Sequence, residues 1–154
     1  MDFSLDRIDR HILVLLQMDS RMQNQELADQ IGLSPSACLR RVRRLETSGL
    51  IAGYVALVDP QMVDRGLDVF VRVRLETQTI SAVERFESQV AALTDVQACY
   101  RMVGEIDFLL HAVMRDLQAW DEFYMTHLGP LKGVAGITSM ISMRRVKYTT
   151  ALPL

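Results

Sequence analysis

The sequence has little cysteine, no long apolar run and no excess of positive charge. Its two cysteines, Cys38 and Cys99, are too few for a disulfide framework and too far apart for a CxxC pair. They read as two ordinary, semi-buried thiols. No apolar stretch approaches the ~20 residues that span a bilayer. The opening, MDFSLDRIDRHILVLL, carries acids where a secretion signal carries bases. These features predict a cytoplasmic protein with no membrane partner. Catalytic signatures are also missing: there is no P-loop, no GxSxG and no HExxH. The histidines fall in three separate elements, His11 on a helix surface, His111 on a strand facing core or interface, and His127 elsewhere. No convergent acid, base or nucleophile emerges, so an enzyme is disfavoured and neither a metal nor an organic cofactor is expected. Internal repeats and low-complexity segments are absent.

Charge gives no bulk signal. The formal net charge is −2, and residues 1–60 hold seven arginines against eight carboxylates. Residues 61–154 hold ten bases against eleven acids. Any affinity for nucleic acid must therefore come from a local patch. One exists in LSPSACLRRVRRLETSGLI, where Arg40, Arg41, Arg43 and Arg44 occupy four of five positions around Val42.

Periodicity places that patch. Leu5, Ile8, Ile12, Leu15 and Leu16 recur at helical spacing over residues 5–18, with Ser4 as the expected N-cap. A short helix over 26–31 ends at Gly32, a glycine suited to the left-handed position after a helix. Ser34 and Pro35 then make a cap and a first-position proline, and the third helix runs to about Ser48, before Gly49. Helix, helix, tight turn, helix is a helix-turn-helix. On the third helix Cys38, Val42 and Leu45 share one face. Ser36, Arg40, Arg44 and Thr47 fall roughly opposite, flanked by Ala37 and Arg43. Val42 breaks the arginine run because it faces the core. The second helix of such a motif enters the major groove, so Ser34, Ser36, Ala37, Arg40, Arg41, Arg43, Arg44 and Thr47 form the expected interface with double-stranded DNA.

The rest of the chain alternates strands and helices. LIAGYVALVDP reads as a short strand or wing, and 60–66 as a linker. Strands are expected at 67–77, 96–103, 108–114 and 134–148, and helices at 80–93 and 117–128. The order βαββαβ is the ferredoxin-like plan, giving an α+β protein with a winged helix-turn-helix over 1–53, a wing and linker over 54–66, and a ferredoxin-like domain over 67–154. The long apolar strands LDVFVRVRL and VAGITSMISM need covering, and DNA-binding modules gain specificity by reading two half-sites, so at least a dimer is expected.

The turn Gly104-Glu105-Ile106-Asp107 joins two strands. It is either a plain β-turn or a ligand site. In the second reading Asp107 pairs with an ammonium group, and backbone N–H groups near Gly104 receive a carboxylate. Those are the two charges of a free amino acid.

Together LDRIDRHILVLLQMDSRM, ELADQIGLSPSACLRRVRRLETSGLIAGYVALVDP, VGEIDFLLHAV and MRRVKYTTALPL resemble the Lrp/AsnC family of transcription factors, over essentially the whole chain. The ending VKYTTALPL is similar to a subgroup of local, single-target regulators. The resemblance implies dimers whose sheets pair, assembling into octamers or sometimes tetramers. It also implies an amino-acid effector bound between dimers near the Gly-[Asp/Glu]-x-Asp turn. Carried over, the effector-binding set is Met102, Gly104, Glu105 and Asp107, with Met140 and Ser142 on the last strand. Glu105 stands where the family most often has Asp, an extra methylene in the pocket. Met140 and Met143 suit an aliphatic or thioether side chain, so leucine or methionine is favoured as effector. The expected function is an amino-acid-responsive, sequence-specific regulator of transcription. The alternative is an effector-independent architectural protein of the same fold that wraps DNA.

Overall fold

The structure, a computed structural model, describes residues 4–154; residues 1–3, at the start of the expected first domain, lie outside the described residues. The chain divides into two compact units. One runs to Leu57 and includes Lys147–Leu154, and the other is Val58–Val146. The tail, which the sequence reading grouped with the second domain, thus sits with the first. The Gln17 side chain clasps the Leu152 backbone there, accepting from its N–H at 2.6 Å and donating to its carbonyl at 3.1 Å.

The first unit holds helices α1 (Arg7–Met18), α2 (Asn24–Ile31) and α3 (Pro35–Thr47). Asp6, not Ser4, caps α1. The reason is a reciprocal pair: the Asp9 N–H donates to Asp6 at 2.8 Å, and the Asp6 N–H to Asp9 at 3.3 Å. Two otherwise orphaned N–H groups are satisfied at once, which moves the helix start to Arg7. Gly32 ends α2 at φ 67°, a left-handed value that a Cβ disfavours. Ile12, Leu27, Ala28, Cys38 and Leu45 form the core of the three helices. Cys38 is fully buried and Cys99 exposed, so the pair is not uniformly semi-buried. Residues 50–59 form no strand, against the expected wing; Leu50, Tyr54, Val55, Leu57 and Val58 are exposed there and pair with no strand among the described residues.

Asp9 does more than cap. Its side chain is fully buried, and the guanidinium groups of Arg41 and Arg44 both reach it, Arg41 at 2.8 Å. Arg41 also bonds Asp6 at 2.7 Å. The Asp9 N–H and then Arg41 hold the Asp6 carboxyl below its ordinary range. Arg41 and Arg44 are three residues apart and so lie ~60° apart on one flank of α3, where one acceptor can serve both. The helical spacing alone predicts Arg44 on the outer face; the buried Asp9 carboxylate draws it back.

The second unit contains a single-turn helix at Pro60–Val63, then β1 (Leu67–Leu75), α4 (Ile80–Ala91), β2 (Val96–Arg101), β3 (Phe108–Met114), α5 (Leu117–Phe123) and β4 (Val134–Ile141). Helix α5 widens into one broader turn at Tyr124–Leu128. The sheet order is β2-β3-β1-β4, all antiparallel, as the ferredoxin-like plan requires. Alternate residues of β1 and β3 are buried, Val69, Val71 and Val73 against Phe108, Leu110 and Ala112, together with Phe86 of α4 and Trp120 of α5. The opposite sheet face carries Phe70, Tyr100 and Met140 exposed. On that face His111 stacks on Phe70 at 4.8 Å and bonds Asp68 at 2.7 Å, and Arg145 bonds the same carboxylate at 2.7 Å. Burial alone would raise the Asp68 carboxyl, but the bonds from His111 and Arg145 outweigh it and hold it low. Strand β4 stops at Ile141, opposite Val69, rather than at 148; β1 itself begins two residues earlier, at Leu67, and the Ser142 N–H still reaches the Asp68 carbonyl at 3.0 Å.

Replacing Arg41 by Ala should destabilise the helix-turn-helix by about 1–2 kcal/mol, the value of charged hydrogen bonds discounted for partial exposure. Urea denaturation should show a lower midpoint at unchanged slope. A change below about 0.5 kcal/mol would remove Arg41 from the framework.

Candidate DNA-reading helix and effector turn

The start of α3 is fixed twice. The Ala37 N–H donates to the Ser34 hydroxyl at 3.3 Å, and the Asn24 amide of α2 donates to the Pro35 carbonyl at 2.9 Å. Cys38 and Leu45 are buried and Val42 half-buried, which sets the rotation of the helix. Ser34, Ser36, Arg40, Arg43 and Thr47 then face solvent, with Ala37 half-buried beside them. The Thr47 hydroxyl donates to the Arg43 carbonyl at 2.6 Å. Arg41 and Arg44, also expected at the interface, point toward Asp9, with Arg44 half exposed. Four arginines in sequence thus become two that bind the scaffold and two that project from it. At the far end of the helix the Tyr54 hydroxyl donates to Glu46 at 2.9 Å; burial first and that carboxylate second push the phenol up to about 12.

In the second unit the turn 104–107 is drawn back over the end of β1. Gly104 has φ 133°, a conformation that only glycine adopts without strain. The Met102 N–H donates to the Asp107 carbonyl at 2.8 Å, and the Asp107 N–H to the Val73 carbonyl at 2.9 Å. The Asp107 carboxylate accepts from the Leu75 N–H and from the Gln78 amide, each at 2.7 Å. These bonds end β1 at Leu75 and β2 at Arg101. Glu105 is 91% exposed and lies 3.5 Å from Arg72.

Two open hollows flank the turn. One, of about 450 Å³, is lined by Gln78, Val83, Arg101, Met102, Val103, Gly104, Asp107 and Phe108. The other, of about 620 Å³, is lined by Arg72, Arg74, Glu105, Ile106, Gly136, Ile137 and Thr138. The first brings one guanidinium, one carboxylate and an apolar wall together, a match for a zwitterion with an apolar side chain. Sequence reasoning missed Arg101; a base three residues before Gly104, at the end of a strand, was the available signal. The structure does not bring Met140 or Ser142 to the turn. Within the chain Met140 stands opposite Phe70, and Ser142 follows beside Asp68, whereas Gly136 and Thr138 are the β4 residues by Glu105.

Residues 5–46 match the AsnC-type helix-turn-helix domain, and residues 68–152 match the Lrp/AsnC ligand binding domain. The chain is 37% identical over 150 residues to the DNA-binding transcriptional activator DecR of Escherichia coli, covering 97% of this chain and 99% of that protein. It is 41% identical over 148 residues to the leucine-responsive regulatory protein of Klebsiella pneumoniae, covering 96% and 90%. Among solved structures, a transcriptional regulator of Neisseria meningitidis in complex with L-methionine superposes with a TM-score of 0.92 at 37% identity, covering 97% of each chain. Whole-chain identity and the two family matches together place it: the chain belongs to the Lrp/AsnC family of transcriptional regulators.

Proposed function

We propose that the protein is a sequence-specific DNA-binding regulator of transcription of amino-acid metabolism genes, modulated by a free amino acid, and that it has no catalytic role. The observation that carries the reading is the outward stripe of Ser36, Arg40, Arg43 and Thr47 on a capped second helix of a helix-turn-helix. Hydroxyls and a helix N-terminus suit base edges and phosphates, and arginines suit phosphates or guanine. Arg41 and Arg44 set the helix angle, with the half-exposed Arg44 able to touch a phosphate from its place beside Asp9. A DNA target places the protein's work in the cytoplasm.

The effector is an amino acid with an aliphatic or thioether side chain, leucine or methionine. Val83, Met102, Val103 and Phe108 offer it an apolar wall, Asp107 its ammonium partner and Arg101 a carboxylate partner. Asp107 already accepts two bonds, yet a carboxylate has roughly four lone-pair sites, so an ammonium can be added. The meningococcal relative bound to L-methionine supports this class of ligand. Exposed Phe70, Tyr100 and Met140 on the open sheet face support a dimer, with assembly to octamers or tetramers that would bring Met140 and Ser142 of one chain to another's turn.

Two measurements test the two halves. Arg43→Ala should weaken DNA binding by about 1–3 kcal/mol and flatten the dependence of log affinity on log salt by about one. An unchanged affinity and slope in Arg43→Ala and Arg40→Ala, with melting intact, would remove these arginines from the interface. Asp107→Asn should lower affinity for L-methionine and L-leucine about tenfold or more in titration calorimetry, since a charged hydrogen bond is worth about 1.5–3 kcal/mol. Its effector-free DNA binding should stay at the wild-type level. Equal effector affinity would leave Asp107 with the turn alone.

A further inference from the structure

We infer that Leu39 reads DNA sequence, packing its side chain on the 5-methyl group of thymine in the major groove. The inference rests on the DNA-binding reading and deepens it, because the exposed residues assigned so far are all polar or charged.

Leu39 lies in the first half of α3, four residues after the first-position Pro35, where a recognition helix meets base edges. It is 40% exposed, whereas Cys38 and Leu45 are fully buried. Those two, with the half-buried Val42, already occupy the core-facing side, and fix the helix without Leu39. At ~100° per residue Leu39 falls ~40° from Arg43 and ~60° from Ser36. It therefore borders the outward stripe, next to its exposed residues Arg43 and Ser36. A phosphate offers an aliphatic side chain nothing. Among the base edges of the major groove the thymine methyl is the apolar group, and aliphatic contact with it is an established form of direct readout. Arg43 and Arg40, on the stripe beside it, bring the helix to the backbone, and Leu39 at the edge of the stripe is left to meet the bases.

The test begins with a random-sequence duplex library selected on wild-type protein. Each thymine of the best duplex is then replaced singly by uracil, which removes only the methyl group. One position per half-site should weaken wild-type binding about fourfold, the worth of one buried methylene. The same duplex should bind Leu39→Ala no worse than the thymine version does. The salt slope of Leu39→Ala should equal that of wild type, unlike that of Arg43→Ala. Selection that enriches no sequence would overturn the DNA reading and this assignment with it. Enrichment with no methyl-dependent position, or a uracil effect of equal size in wild type and Leu39→Ala, would overturn the assignment of Leu39 alone.

Discussion

One buried carboxylate organises the DNA-reading unit. Asp9 caps the start of α1 with Asp6 and then receives Arg41 and Arg44 from α3, more than thirty residues later. A fully buried carboxylate with no partner would be strongly unfavourable, so the contact is an obligation rather than an ornament. It joins the first helix to the third by charge where Ile12, Cys38 and Leu45 join them by packing. It also sorts the arginines. Arg41 and Arg44 turn to it, while Arg40 and Arg43 stand out from the helix.

The second unit repeats the device on a smaller scale. Asp107 receives the Leu75 N–H and the Gln78 amide, tying the β2–β3 turn to the end of β1. The same bonds close one side of the hollow lined by Arg101 and Met102. An amino acid that added its ammonium to Asp107 would therefore touch a group that also holds a strand end. In the proposed reading, ligand recognition and turn geometry would share one carboxylate, and a bound ligand would have a direct grip on the sheet.

The order of elements was legible because it depends on local signals. Apolar spacing marked the strands and the two longer helices of the ferredoxin-like unit, though not the single turn at Pro60–Val63, and Gly32, Ser34 and Pro35 marked the turn before α3. What was not legible depends on partners distant in sequence. Strand β4 ends at Ile141, opposite Val69, and nothing within VAGITSMISMRRVKY signals that point. Arg41 and Arg44 could be set on a helical wheel, but their guanidinium groups follow Asp9, which local periodicity counted as a polar position on α1. Asp6 and Asp9 make the capping box with carboxylates at both ends, two residues after Ser4, the expected cap. Residues 50–59 alternate like a strand yet pair with no strand among the described residues. At the turn, Gly104 and Asp107 announced themselves by residue type; Arg101 joined them only through the fold.

The central claim is that Asp9 commits Arg41 to the scaffold and leaves Arg43 to the surface. A pair of double-mutant cycles on the stability of DNA-free protein tests it most directly, with Asp9→Asn combined first with Arg41→Ala and then with Arg43→Ala. Coupling of about 1–3 kcal/mol is predicted for Asp9 with Arg41, and additivity within about 0.5 kcal/mol for Asp9 with Arg43. Additivity in the first cycle, or equal coupling in both, would contradict the division of the arginines.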